Sequence, residues 1–126
     1  MTFISYAVEP CDGAAEVPIS VANTWQAIAT YTPPSVRPSS GCGSLGLFLV
    51  LVYVTVPAGG ATVAVRVPYT DSAGAQTATL LSSTALPAGP WSGSAVISSA
   101  PGAQVTAEVE SSVATSTIVT AALVGL

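Results

Sequence analysis

Lysine and histidine are absent from this chain, and Arg37 and Arg66 are its only basic residues. Against them stand Glu9, Asp12, Glu16, Asp71, Glu108 and Glu110, giving a formal charge of −4 over 126 residues. Charged residues make up 6% of the sequence, where soluble domains carry about 25%. This scarcity excludes whole classes of function. Nucleic acid needs a basic footprint, and an anionic membrane surface needs clustered Lys and Arg; neither is present. The many Ser and Thr hydroxyls have no His or Lys to serve as a base, so no catalytic residue is assigned. Two cysteines without histidine do not complete a tetrahedral zinc shell, so no metal is expected. The glycine-rich residues 41–46 are followed by no Lys and open no helix, which rules out a phosphate loop. No enzyme activity and no cofactor are expected.

A basic n-region and a long h-region are also missing from the first ten residues, so they do not read as a secretory signal. Synthesis in the cytosol is the expectation. Half of the residues are hydrophobic, which excludes intrinsic disorder. One domain spanning residues 1–126 is large enough for a single core. With so little charge, its surface is made of Ser, Thr, Gln, Asn and backbone, and has little defence against edge-to-edge association. Cover within an assembly is the simplest resolution.

What is present is β-pattern. Residues 45–56, Leu-Gly-Leu-Phe-Leu-Val-Leu-Val-Tyr-Val-Thr-Val, form the longest apolar run. Their β-branched and aromatic content favours a strand over a helix, and apolar residues on both faces predict a central strand covered on both sides. A helix of this length would span only about 18 Å, too short for a bilayer. Ahead of it, residues 2–8 read as a first strand stopped by a turn at residues 9–13. Residues 17–31 read as a second extended region, with a short helix over 22–30 as the alternative. The Pro- and Ser-rich residues 32–44 read as a loop.

After a turn at 57–60, residues 61–69 alternate Val63, Val65, Val67 and Tyr69 against Thr62, Ala64, Arg66 and Pro68, the period of a half-buried strand. Asp71 to Gly74 is a hairpin turn, with Asp71 fixing it. Residues 75–85, 91–99, 104–113 and 116–126 supply the remaining strands. In residues 104–113, Val105, Ala107, Val109 and Val113 are expected inward, with Gln104, Thr106, Glu108, Glu110 and Ser112 outward. About eight strands separated by turn signals, and no convincing amphipathic helix, predict an all-β antiparallel sandwich. The strand count suits a jelly roll.

Several residues are candidates for contacts. Cys11 and Cys42 both lie in turn contexts and could form a disulfide, although in a reducing cytosol two separated thiols are more often free. Glu108 and Glu110 share a strand face and read as solvated rather than as an acid–base pair. Arg66, the one charge in an apolar strand, is either exposed or a partner for Glu108 or Glu110, across strands or subunits. Arg37 in the Pro-rich loop is a further candidate for an intersubunit contact. Trp25, Trp91, Tyr31, Tyr53 and Tyr69 fit the core or an interface better than a sugar-stacking platform, so a glycan partner is not favoured. In the last strand Ile118, Val124 and Leu126 face one way and Val119, Ala121 and Leu123 the other. One face can serve the core and the second a cyclic oligomer, so these residues mark an oligomer interface, closed as a trimer or a dimer.

In length, strand count and composition the chain resembles the small all-β decoration (cement) proteins of tailed bacteriophage heads. The resemblance implies a structural virion protein on the capsid exterior, made in the host cytoplasm. Its partners would be its own copies, as a trimer, and the major capsid protein, whose shell it would reinforce against internal DNA pressure. Two rival readings are a tail, fibre or head-spike module binding host glycans and a cell-surface carbohydrate-binding or adhesion domain.

Overall fold

The computed structural model describes residues 10–35, 42 and 46–126. Eight strands make up the architecture: β1 (Pro10–Pro18), β2 (Gln26–Tyr31), β3 (Leu47–Val56), β4 (Ala61–Asp71), β5 (Gly74–Leu86), β6 (Gly89–Ser98), β7 (Val105–Ser111) and β8 (Ile118–Gly125). No helix occurs among the described residues, and none is long and apolar enough to cross a membrane. Two four-stranded sheets, ordered β1-β8-β3-β6 and β2-β7-β4-β5, pack face to face.

The pairing has a simple logic. β4 pairs with β5, β3 with β6, β2 with β7 and β1 with β8, all antiparallel. The partners are nested, first with last and so on inward, as in one long hairpin ribbon. Wrapping the ribbon brings β3 beside β8 and β4 beside β7, which closes each sheet. That is a jelly roll. At the β3–β4 turn, Gly60 has φ of 79° and its N–H donates to the Pro57 carbonyl. A side chain there would bring Cβ to 2.6 Å from the Leu86 carbonyl oxygen, so only glycine fits. At the β4–β5 hairpin the Asp71 carboxylate accepts from the Ala73 N–H, fixing the turn.

The core lies between the sheets and follows strand alternation. Phe48, Val50, Val52, Val54 and Val56 of β3 face Val63, Val65 and Val67 of β4 and Val105, Ala107 and Val109 of β7. Val119, Ala121 and Leu123 of β8 and Ile97 of β6 complete it. Trp91 packs over Gly93 on the same strand, its ring 2.6 Å from where a Cβ at that position would stand.

Three sequence expectations change and one is refined. Residues 9–13 do not form a turn from Pro10 onward: β1 begins there despite Pro10, Asp12 and Gly13. It is an edge strand with two breaks in register, the setting in which Pro and Gly are tolerated. The extended region 17–31 is interrupted between β1 and β2, where Asn23 adopts φ of 57° and donates its N–H to the Ser111 carbonyl. The structure there is turn and strand, without the alternative helix. Thr106 is on the outer side as expected, lining a groove with Gln104 and Glu108, but it is buried there, its hydroxyl accepting from that of Thr30 at 3.3 Å. Finally, β3 is central in its sheet but covered on one face only: Leu47, Leu51 and Tyr53 on its other face are exposed. The expected strand at residues 2–8 lies outside the described residues.

Cys11 and Cys42 are joined in a disulfide with 5.6 Å between their Cα atoms, tying β1 to the connection that leads into β3. The Tyr31 hydroxyl donates to the Cys42 carbonyl, and the Asp12 carboxylate accepts from the Thr30 N–H at 2.7 Å. These contacts close one side of the sandwich.

Candidate functional site

The outer face of the β1-β8-β3-β6 sheet is the most distinctive surface of the molecule. β3, β6 and β8 contain no charged residue. Register places small side chains on both sides of the large ones. Leu51 lies between Ser94 and Ala122, and Tyr53 between Ser92 and Thr120. Leu51 and Tyr53 therefore stand as a ridge, 43% and 47% exposed, with a shallow depression of about 500 Å³ around them. Leu49 lies between Val96 and Val124, and Val96 is 62% exposed. Leu47 and Leu126 extend the apolar strip beyond that row, joined by the hydrogen bond from the Leu126 N–H to the Leu47 carbonyl.

A face of this kind is built by a simple sequence device. In β3 every residue but Thr55 is hydrophobic, yet the strand covers a core on one side only. The even-numbered residues fill the interior, and the odd-numbered ones have no intramolecular use. Large contiguous apolar patches mark protein or membrane contacts, ligand grooves or aggregation-prone surface. The polar side-chain groups of the depression here are the hydroxyls of Ser92, Ser94, Thr120 and Tyr53.

The two faces of the last strand divide as the alternation predicts, with Val119, Ala121 and Leu123 in the core and Ile118, Val124 and Leu126 on the outer side, where Val124 is nonetheless covered. Val119 and Leu123 are wholly buried in the chain's own core, and Val124 is buried as well. Ile118 is half-buried and Leu126 exposed. The exposed part of the apolar face is therefore centred on β3, with Val96 of β6 on one side and Ile118 and Leu126 on the other. Sequence reading missed Leu47, Leu51 and Val96 as contact residues. The signal is the apolar run of residues 45–56 with two apolar faces, which by itself does not distinguish cover by the chain's own core from exposure.

Of the charged side chains among the described residues, Asp12 and Glu16 lie on β1 at the edge of the β1-β8-β3-β6 sheet, and Arg66, Asp71, Glu108 and Glu110 lie on the opposite sheet. Arg66 Nε lies 2.7 Å from Glu108 Oε1, and its guanidinium lies 4.0 Å from the centre of the Trp25 ring. Glu110 is half-buried on the same strand as Glu108, opposite Ala64 of β4. Beside them a groove of about 550 Å³ is lined by Gln76, Thr77, Gln104 and Glu108, among others. Arg37 lies outside the described residues. The aromatic residues do not converge on one platform. Trp25 is on the outside of one sheet and Tyr53 on the outside of the other, while Tyr31, Tyr69 and Trp91 pack against the core. Among the described residues no cluster of His, Cys, Asp and Glu could hold a metal.

No protein-family profile matches the chain, and no curated protein matches it. Among solved structures, a chain in the structure of infectious bursal disease virus, Gx strain, superposes with a TM-score of 0.50 at 11% identity. The match covers 93% of this chain and 31% of that one. The Clostridium thermocellum xylanase 10B CBM22-1–GH10 modules, complexed with xylohexaose, superpose with a TM-score of 0.41 at 14% identity, over 90% of this chain and 25% of that one. The chain thus spans less than a third of the length of each. At such identity the first match speaks to the fold, in agreement with the eight-stranded sandwich.

Proposed function

We propose that this protein is a structural component of a virion, a decoration subunit that binds an assembled capsid through the outer face of its β1-β8-β3-β6 sheet. The observation that carries the reading is the uncharged apolar ridge of Leu51 and Tyr53, with Leu47, Val96 and Leu126 around it. Such a surface gains free energy only when another protein covers it, at about 25 cal/mol per Å² of apolar area. The partner is the major capsid protein of the shell. Binding by burial is little screened by salt, which suits a contact that persists outside the cell.

Two further observations support it. The disulfide between Cys11 and Cys42 suits a protein whose working life is in oxidising surroundings. The chain shares its fold with part of a chain in the infectious bursal disease virus structure, and its length, strand count and composition resemble phage-head decoration proteins. The protein acts without catalysis, metal or cofactor. A glycan-binding role is less well supported, because its aromatic residues point to different sides of the sandwich.

The test is co-sedimentation of the purified chain with capsids of the source virus lacking this protein. Wild-type protein binds saturably, at neutral pH and in moderate NaCl. Leu51→Glu remains folded and does not bind. Equal binding by both proteins overturns the reading.

A further inference from the structure

Each sheet of the sandwich has two edges, and they are not defended alike. A free edge presents unpaired N–H and C=O groups that recruit another strand unless something blocks them. β1 carries Pro10, Asp12, Glu16 and Pro18 and has two breaks in register, with Glu16 at φ of 53°. β2 is only 6 residues long, has a break of its own, and has its Thr30 N–H taken by Asp12. β5 is interrupted twice along β4. β6 has none of these devices after Pro90. It runs in unbroken register with β3 from Gly89 to Ser98, without a charged residue.

The direction of its free groups follows from the hydrogen-bond phase. The Ser99 N–H donates to the Gly46 carbonyl at 2.8 Å, so the pairs that continue this phase, such as Val50 with Ala95 and Val52 with Gly93, exchange hydrogen bonds. The Leu126 N–H to Leu47 carbonyl bond sets the complementary phase on the β8 side of β3. The backbone groups of Ser92, Ser94, Val96 and Ser98 therefore point away from β3, and they have no backbone partner among the described residues. All four residues are exposed.

We infer that β6 is the site at which a second copy of this chain adds to the sheet, antiparallel to its own β6, about a two-fold axis at Ala95. In that register Ser94 faces Val96 of the other copy, and Ser92 faces its Ser98. Each facing pair exchanges two N–H···O bonds. The contact is self-complementary because it is uncharged and its side chains are small, so the backbones meet without repulsion or clash. A foreign peptide added to an edge draws its specificity from pockets for alternate side chains; here the inner side beside Gly93 is occupied by the Trp91 ring. Two-fold pairing closes on itself and takes the place of the three-fold contact expected of β8. It also sets two outer faces side by side, with Ser92, Ser94, Val96 and Ser98 of each copy along the seam. The inference goes beyond the capsid-binding reading, since that reading uses the face of the sheet and this one uses its edge.

The test is sedimentation velocity of the isolated full chain across nanomolar to millimolar concentration, with amide hydrogen exchange on the same protein. The expected result is a dimer in which the Ser94 and Val96 amides exchange as slowly as those of Gly93 and Ala95. Ser94→Pro removes one outward N–H from each copy and leaves the β3 pairing intact, so the dimer's dissociation constant rises about tenfold or more. Ser94→Lys tests the same edge without a proline, by placing two like charges on a diagonal of about 7–8 Å. Leu51→Glu leaves the dimer unchanged while abolishing capsid binding, which separates the two readings. A chain that stays monomeric throughout, a trimer, or a dimer indifferent to both Ser94 variants overturns the inference.

Discussion

Arg66 and Glu108 form a 2.7 Å ion pair across β4 and β7, with Trp25 lying under the guanidinium. It is the only ion pair among the described residues. Its side chains are 36% and 21% exposed, so solvent screens it, and its contribution is about 0.5 kcal/mol or less. The cation–π contact adds about 0.5–1 kcal/mol. Arg66→Ala is therefore expected to lower stability by about 1 kcal/mol and to shift Trp25 emission, without affecting association. Urea denaturation followed by fluorescence checks this. A loss of several kcal/mol, or dissociation of complexes by moderate NaCl, would show that charge matters far more here than the surface suggests.

Adjacent residues of β3 should respond in opposite ways to the same kind of change. Val50 is wholly buried, whereas Leu51 points outward beside it. Val50→Asp places an unpaired charge in the core, costing several kcal/mol, and the chain is expected not to fold. Leu51→Glu is expected to fold with an unchanged circular dichroism spectrum and higher solubility. If the Val50 variant folds, or the Leu51 variant does not, the phase of β3 is misplaced.

Much of this was legible in the sequence, and the exceptions share a cause. The strands with clean alternation, residues 61–69 above all, were readable because one face meets core and the other solvent. The nested jelly-roll order is consistent with the count but not encoded locally, since it depends on which distant strands pair. β1 was unreadable because turn-forming residues, Pro10, Asp12 and Gly13, are tolerated at a bulged edge. The outer face was half legible. Periodicity showed that β3 and β8 had apolar residues to spare, but not that neighbouring strands would bury Val124 and leave Val96 and Leu51 exposed.

Loss of the Cys11–Cys42 bridge frees a loop closed over a sequence separation of 31 residues. Removing such a constraint costs roughly 2–4 kcal/mol, mainly by enlarging the unfolded ensemble. Cys11→Ser with Cys42→Ser is expected to lower the thermal midpoint by several degrees or more and to keep the β spectrum. Calorimetry of the variant, beside wild-type protein with and without reductant, measures it. An unchanged midpoint would mean that the bridge constrains nothing.

Gly93 seats the Trp91 ring on the inner side of β6. Gly93→Ala forces the ring to move, because the added methyl would lie 2.6 Å from its nearest atom. The expected cost is about 1–3 kcal/mol, with a change in Trp91 emission. A Trp25→Phe background isolates the signal. Unchanged emission and stability would indicate that the ring does not rest there.

The copy number of this chain in purified virions tests the proposed structural role most directly. Quantitative mass spectrometry against the major capsid protein gives it. A decoration subunit is expected at a fixed ratio to the capsid protein, in the hundreds per particle. A few copies per particle would point to a tail, and absence from particles would contradict the proposed function outright.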